Sequence, residues 1–96
     1  MIEHTVSFTL NHPSGSSEEA DFLKDLRTFA EIPGVKNFRV NRQVSPKGPF
    51  AYQISMWFDD QRALEAYDAS QAHVDFVNDR WLPEVASFQT LDFVEI

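Results

Sequence analysis

No cysteine occurs in this 96-residue chain, which excludes a disulfide framework, a thiolate metal centre and a cysteine nucleophile. Runs of 18 apolar residues are absent too, and the opening MIEHTVSF lacks a basic segment leading into an apolar one. Neither a membrane span nor a secretory signal is therefore expected, and a cytoplasmic address is the default. Positive charge is scarce: eight Lys and Arg stand against fifteen Asp and Glu, a formal net charge of −7. Such a surface repels nucleic-acid backbones and anionic membranes. With three glycines and no G-x-G-x-x-G, phosphate-binding loop or G-x-S-x-G, nucleotide and acyl-serine chemistry have no support. No repeat, linker or low-complexity segment divides the chain, so residues 1–96 read as one domain.

Aromatic residues are what the sequence does have: nine Phe, two Trp and two Tyr. A chain this short buries only about 65% of the surface it exposes when unfolded. A homodimer adds burial at little cost, because one patch is used twice.

Residues 2–10 alternate strictly, with Ile2, His4, Val6, Phe8 and Leu10 on one face of a strand. Turn chemistry follows at 11–16, and Ser17 with Glu18 and Glu19 reads as a helix cap and acidic first turn. On a helical wheel Phe22, Leu23, Leu26, Phe29 and Ala30 share one arc, and Pro33-Gly34 ends the helix. Val35–Val44 is a strand of mixed polarity suited to a sheet edge. After the Ser45–Pro49 loop, Phe50–Phe58 forms a third strand, apolar on one face and semi-apolar on the other, for the sheet's centre. Asp59 or Asp60 caps a second helix bearing Ala63, Leu64 and Tyr67. A break at 69–71 precedes a helical run through Val74, Phe76, Val77 and Trp81 that ends at Pro83. Val85–Ile96 closes as a strand with apolar residues on both faces, which implies that both are covered.

Strand, helix, strand, strand, helix, strand is the order of an α+β, ferredoxin-like βαββαβ domain, with both helices on one side of an antiparallel sheet. Trp57, Leu91 and Phe93 lie on the other side. Two sheets are expected to meet there across a two-fold axis, making the protein a homodimer through its sheet faces.

His4 on the first strand, Tyr67 on the second helix, His73 on the last helical segment and Tyr52 on the third strand all point into one helix–sheet layer. A dry core has little use for four polar tips, each of which needs a partner. A single buried His is more often a hydrogen-bonded core residue than a catalyst, but His4, Tyr67 and His73 facing one small volume suggest a pocket. Phe8, Phe22, Phe29, Tyr52, Ile54, Val77 and Trp81 would line it around an apolar or aromatic ligand carrying one or two oxygens. A neutral imidazole as base and a second His or a Tyr hydroxyl as proton donor fit enolisation, aldol-type ring closure or decarboxylation, none of which needs a cofactor or metal. A metal site built from His4, His73 and Glu84 or Asp92 is the competing arrangement, but no H-x-x-H or H-E-x-x-H spacing supports it. His12, in a loop before Pro13, is expected in solvent. Arg80, inside an apolar arc, is expected to snorkel beside Trp81.

With these residues placed, the chain resembles the stress-responsive A/B barrel (Dabb) family of dimeric α+β barrels. The likeness is carried by IEHTVSFTL, IPGVKNFRVNRQVSP, AYQISMWFDDQRALEAYDASQAHVDFV and LDFVEI, in that order. It implies dimerisation through the sheets and a pocket between sheet and helices in each subunit. Members include proteins of unknown function and a polyketide cyclase that closes a ring by aldol chemistry, whose His and Tyr positions fall on His4, Tyr67 and His73. A non-catalytic stress-related dimer with structural histidines is the alternative from another class. A heme-using monooxygenase is a third, because related dimeric barrels take that role, with His73 as the axial ligand.

Overall fold

The alternation at the amino terminus builds β1 (Ile2–Leu10) in the computed structural model, which describes residues 1–96. His4, Val6 and Phe8 are buried on its inner face. The hydroxyl of Ser16, one residue before the expected cap, accepts the Glu19 N–H at 3.1 Å and opens α1 (Ser17–Leu26). Ser17 instead donates to the Glu18 carboxylate. Beyond Leu26 the helix tightens into a 3₁₀ turn (Arg27–Glu31), which keeps Phe29 buried and leaves Ala30 exposed. Gly34 then supplies the left-handed residue of the following turn, at φ +89°.

β2 (Lys36–Arg42) and β3 (Tyr52–Phe58) are both shorter than the alternation suggests. Asn37, at φ +54°, interrupts their register between Lys36 and Arg39. Asn is among the few residues that accept this conformation. Asp60 caps α2 (Gln61–Ala69) by accepting the Ala63 N–H at 2.9 Å. Ser70 both closes α2 and opens α3 (Gln71–Phe76): its hydroxyl donates to the Tyr67 carbonyl at 2.7 Å and accepts the His73 N–H at 3.3 Å.

The helical run does not stop at Pro83. It widens into a π turn (Val77–Trp81), in which the Leu82 N–H reaches back to the Val77 carbonyl, and continues as a turn over Leu82–Glu84. Pro83 sits in the first positions of that turn, where proline is tolerated. β4 (Val85–Phe93) ends three residues earlier than expected.

The sheet runs β2-β3-β1-β4 with every neighbour antiparallel, the ferredoxin-like order expected from the sequence. The helices cover one face, and fifteen buried apolar and aromatic residues fill the layer between. On the opposite face Leu91 is 46% and Phe93 49% exposed, with Trp57 half-buried beside Glu3. Within one chain β4 is open on both faces, the outer one being the face expected to meet a second subunit. Phe88 on its inner face is 54% exposed, because β4 is an edge strand, although the Trp81 ring of the helical layer meets it edge-on at 5.5 Å.

Candidate functional site

The β1–β4 register sets His4 opposite Asp92, and the His4 Nδ1 lies 2.5 Å from the Asp92 Oδ1. An ionised carboxylate only accepts, so Nδ1 carries the proton and Nε2 is left as the free ring nitrogen. His73 is fixed in the same sense from the helical layer. Its Nδ1 donates to the Asp68 carbonyl at 2.9 Å, across the corner that Ser70 makes between α2 and α3. Tyr67 stands between the two imidazoles, its ring centroid 5.8 Å from that of His4 and 4.7 Å from that of His73.

Three polar atoms remain without a hydrogen bond to protein: the Nε2 of His4, the Nε2 of His73 and the hydroxyl of Tyr67. No buried side-chain polar atom is left unpaired, so these three lie open to the space beside them rather than sealed in the packing. That space is a cavity of about 310 Å³, the lower end of the range for small-molecule sites. Val6 and Ile54 form its floor on the sheet, Phe29, Phe76, Val77 and Trp81 its helical wall, and the exposed Leu82, Phe88 and Thr90 its mouth. Burial, reinforced by the charge of Asp68, pushes the Tyr67 hydroxyl well above the ordinary phenol range. It stays protonated and acts as a hydrogen-bond donor.

Of the residues that the sequence nominates, His4, Tyr67, His73, Phe29, Ile54, Val77 and Trp81 line this cavity. Phe8, Phe22 and Tyr52 do not. They pack as an aromatic cluster farther along the sheet, where Tyr52 stacks on Phe8 at 5.3 Å and donates to the buried Glu19 carboxylate. Tyr52 is thus satisfied by a partner in the core, and parity alone does not show this. Asp92, weighed in the sequence only as a metal ligand, is the residue that orients His4. Its even spacing from Phe88 is the signal that places both on the inner face. Glu84 is engaged elsewhere, and no group of three or more His, Asp or Glu side chains is gathered for a metal ion.

Two further expectations change. His12 is not free in solvent: its Nε2 lies 2.7 Å from the Glu84 carboxylate. Arg80, expected to snorkel beside Trp81, instead lays its guanidinium over the Phe22 ring at 5.7 Å with its charge matched. It donates to Glu84 at 2.7 and 3.2 Å and pairs with Asp21 at 3.0 Å and Asp25 at 3.4 Å. The hydrogen bond from Arg80 holds the Glu84 carboxyl below the usual carboxylate range. This network ties the π turn to α1 and to the loop after β1, behind the cavity wall.

The model of one domain family, the Stress responsive A/B Barrel Domain, matches residues 2–95. A Dabb family protein with a ferredoxin-like fold from Mesorhizobium loti is 46% identical, with a TM-score of 0.97 over 99% of this chain and 96% of its own. A hydroxynitrile lyase from Passiflora edulis superposes with a TM-score of 0.84 at 13% identity, over 99% and 93% of the two chains. A dimeric protein of unknown function from Bacteroides fragilis gives 0.75 at 16% identity, over 98% and 95%. These last two likenesses extend to the fold alone. No curated protein matches the sequence.

Proposed function

The chain belongs to the stress-responsive A/B barrel domain family, and from that membership and the cavity geometry we propose that it binds a small apolar or aromatic molecule carrying oxygen and moves a proton on it. The observation that carries this reading is the set of three polar atoms without protein partners that line one cavity, one from the sheet and two from the helices. His4, held by Asp92, is the base: its Nε2 takes a proton from the carbon beside a ligand carbonyl. Tyr67 donates its hydroxyl proton in a hydrogen bond to the oxygen on which negative charge develops. His4, protonated by that step, returns the proton, and the Nε2 lone pair of His73 accepts a hydrogen bond from a ligand hydroxyl. The enolate so formed protonates again or attacks a second carbonyl in an aldol-type closure. The apolar wall keeps water from competing for the base.

Thermal shift against a panel of β-keto and phenolic compounds tests binding. Wild type is stabilised by at least one compound and His73→Ala by none; a wild type indifferent to the whole panel refutes the pocket. Deuterium incorporation at the acidic carbon of a bound β-keto compound tests catalysis. Exchange accelerated by wild type and not by His4→Gln supports proton transfer, whereas binding without exchange reduces the protein to a ligand carrier.

The protein works as a homodimer in this proposal, with Trp57, Leu91 and Phe93 meeting their copies across the open sheet face. Their exposure supports the arrangement, since apolar residues grouped on one sheet face mark an interaction surface. Similar folds from Bacteroides fragilis, Thermobifida fusca and Jannaschia are described as dimeric.

A further inference from the structure

The cavity carries negative charge and no lysine or arginine. Asp68 and Asp92 are among its fourteen lining residues, and the only groups there able to become cationic are His4 and His73. His4 is paired with the Asp92 carboxylate and His73 with the Asp68 backbone carbonyl; two carboxylates against two imidazoles make the lining sum to between −2 and 0 whichever ring nitrogens are protonated. It is never positive. When the rings are neutral, both present a lone pair at Nε2 to the cavity, because each Nδ1 proton is already given to an oxygen. The whole chain, at −7, adds a field of the same sign. The field of Asp68 is felt inside, where it adds to the effect of burial on Tyr67.

Resting on the pocket reading above, we infer that the ligand's polar head is an uncharged carbonyl or hydroxyl, and that carboxylates and phosphates are rejected. While both imidazoles are neutral, an anion entering this cavity would leave water for a site that offers one hydroxyl donor and no compensating cation, a cost that an isosteric neutral head does not bear. The substrate class is therefore a neutral ketone, aldehyde or phenol. A free acid or a compound anchored by its phosphates is excluded.

A matched pair of planar probes tests this: 2-naphthamide and 2-naphthoate, nearly equal in shape and differing by one charge. Both are titrated at pH 8 into the full chain, and binding is followed by the ring signals of His4, Tyr67 and His73 in NMR spectra. The amide is expected to bind at least tenfold more tightly, and the gap to narrow in Asp68→Asn, whose exposed position tolerates the change. Naphthoate binding as tightly as the amide, or more tightly, overturns the charge inference and leaves the pocket standing. If neither probe moves any of the three residues at millimolar concentration, the pocket reading falls and this inference with it.

Discussion

One substitution made at two places separates a hydroxyl without a protein partner from one that holds the fold together. Tyr67 and Tyr52 are both buried, at 1% and 4% exposure. The Tyr67 hydroxyl has no protein partner, whereas Tyr52 donates to Glu19, a buried carboxylate that otherwise has only the Gly15 N–H at 3.2 Å and the Arg42 guanidinium at 3.8 Å. Removing the Tyr52 oxygen takes a charge-assisted bond from a carboxylate that cannot turn to water. Such bonds contribute about 1.5–3 kcal/mol. Tyr52→Phe should therefore lower stability by about 2 kcal/mol, or about 10 °C in Tm for a domain of this size. Tyr67→Phe removes a hydroxyl open to the cavity and should change stability by less than about 0.5 kcal/mol, while slowing proton abstraction from the ligand by about 100-fold or more. Urea unfolding at one fixed protein concentration reads both numbers, since a dimer's midpoint moves with concentration. A loss above about 1 kcal/mol in Tyr67→Phe would mean that its hydroxyl is bonded within the protein, and the catalytic assignment would fail.

Glu84→Gln should destabilise the fold by about 1–2 kcal/mol at neutral pH, because it weakens the bonds from Arg80 and His12 that tie the π turn down. The folded state holds the Glu84 carboxyl below its ordinary value, so this contribution is fully present above the unfolded-state pKa and is lost as pH falls through the folded one. The wild type and the variant should thus converge in acid, and a gap that stays constant in urea midpoints between pH 7 and pH 3 would contradict the assignment. Leu91→Glu combined with Phe93→Glu places like charges at the centre of the open sheet face and should give a folded monomer by light scattering. A dimer that persists places the interface elsewhere.

Much of the fold was legible in the residues themselves. Period-two alternation in residues 2–10 fixed which face of β1 is apolar, and the order of strands and helices left few right-handed antiparallel arrangements. Helix caps at Ser16 and Asp60 lie within one residue of their sequence signals, because a cap is a local hydrogen bond. Strand parity for His4 and helical periodicity for Tyr67 and His73 also brought the three to one layer. Parity failed for Tyr52, and the reason is geometric. Alternation states the face of a residue but not its position along the strand, and Tyr52 pairs with Phe8, four residues and about 13 Å from His4.

The tertiary structure alone decided what depends on partners far apart in sequence. Asp92 became the carboxylate that orients His4 only once the β1–β4 register set them side by side, 88 residues apart in the chain. Glu84 gathered Arg80 and His12 because a π turn carried the helix past Pro83, where one-dimensional rules end it. The cavity, too, belongs to the fold and not to the sequence. Whether three aromatic and imidazole rings enclose space or fill it depends on interlocking rotamers in three dimensions, and no periodicity along the chain records them.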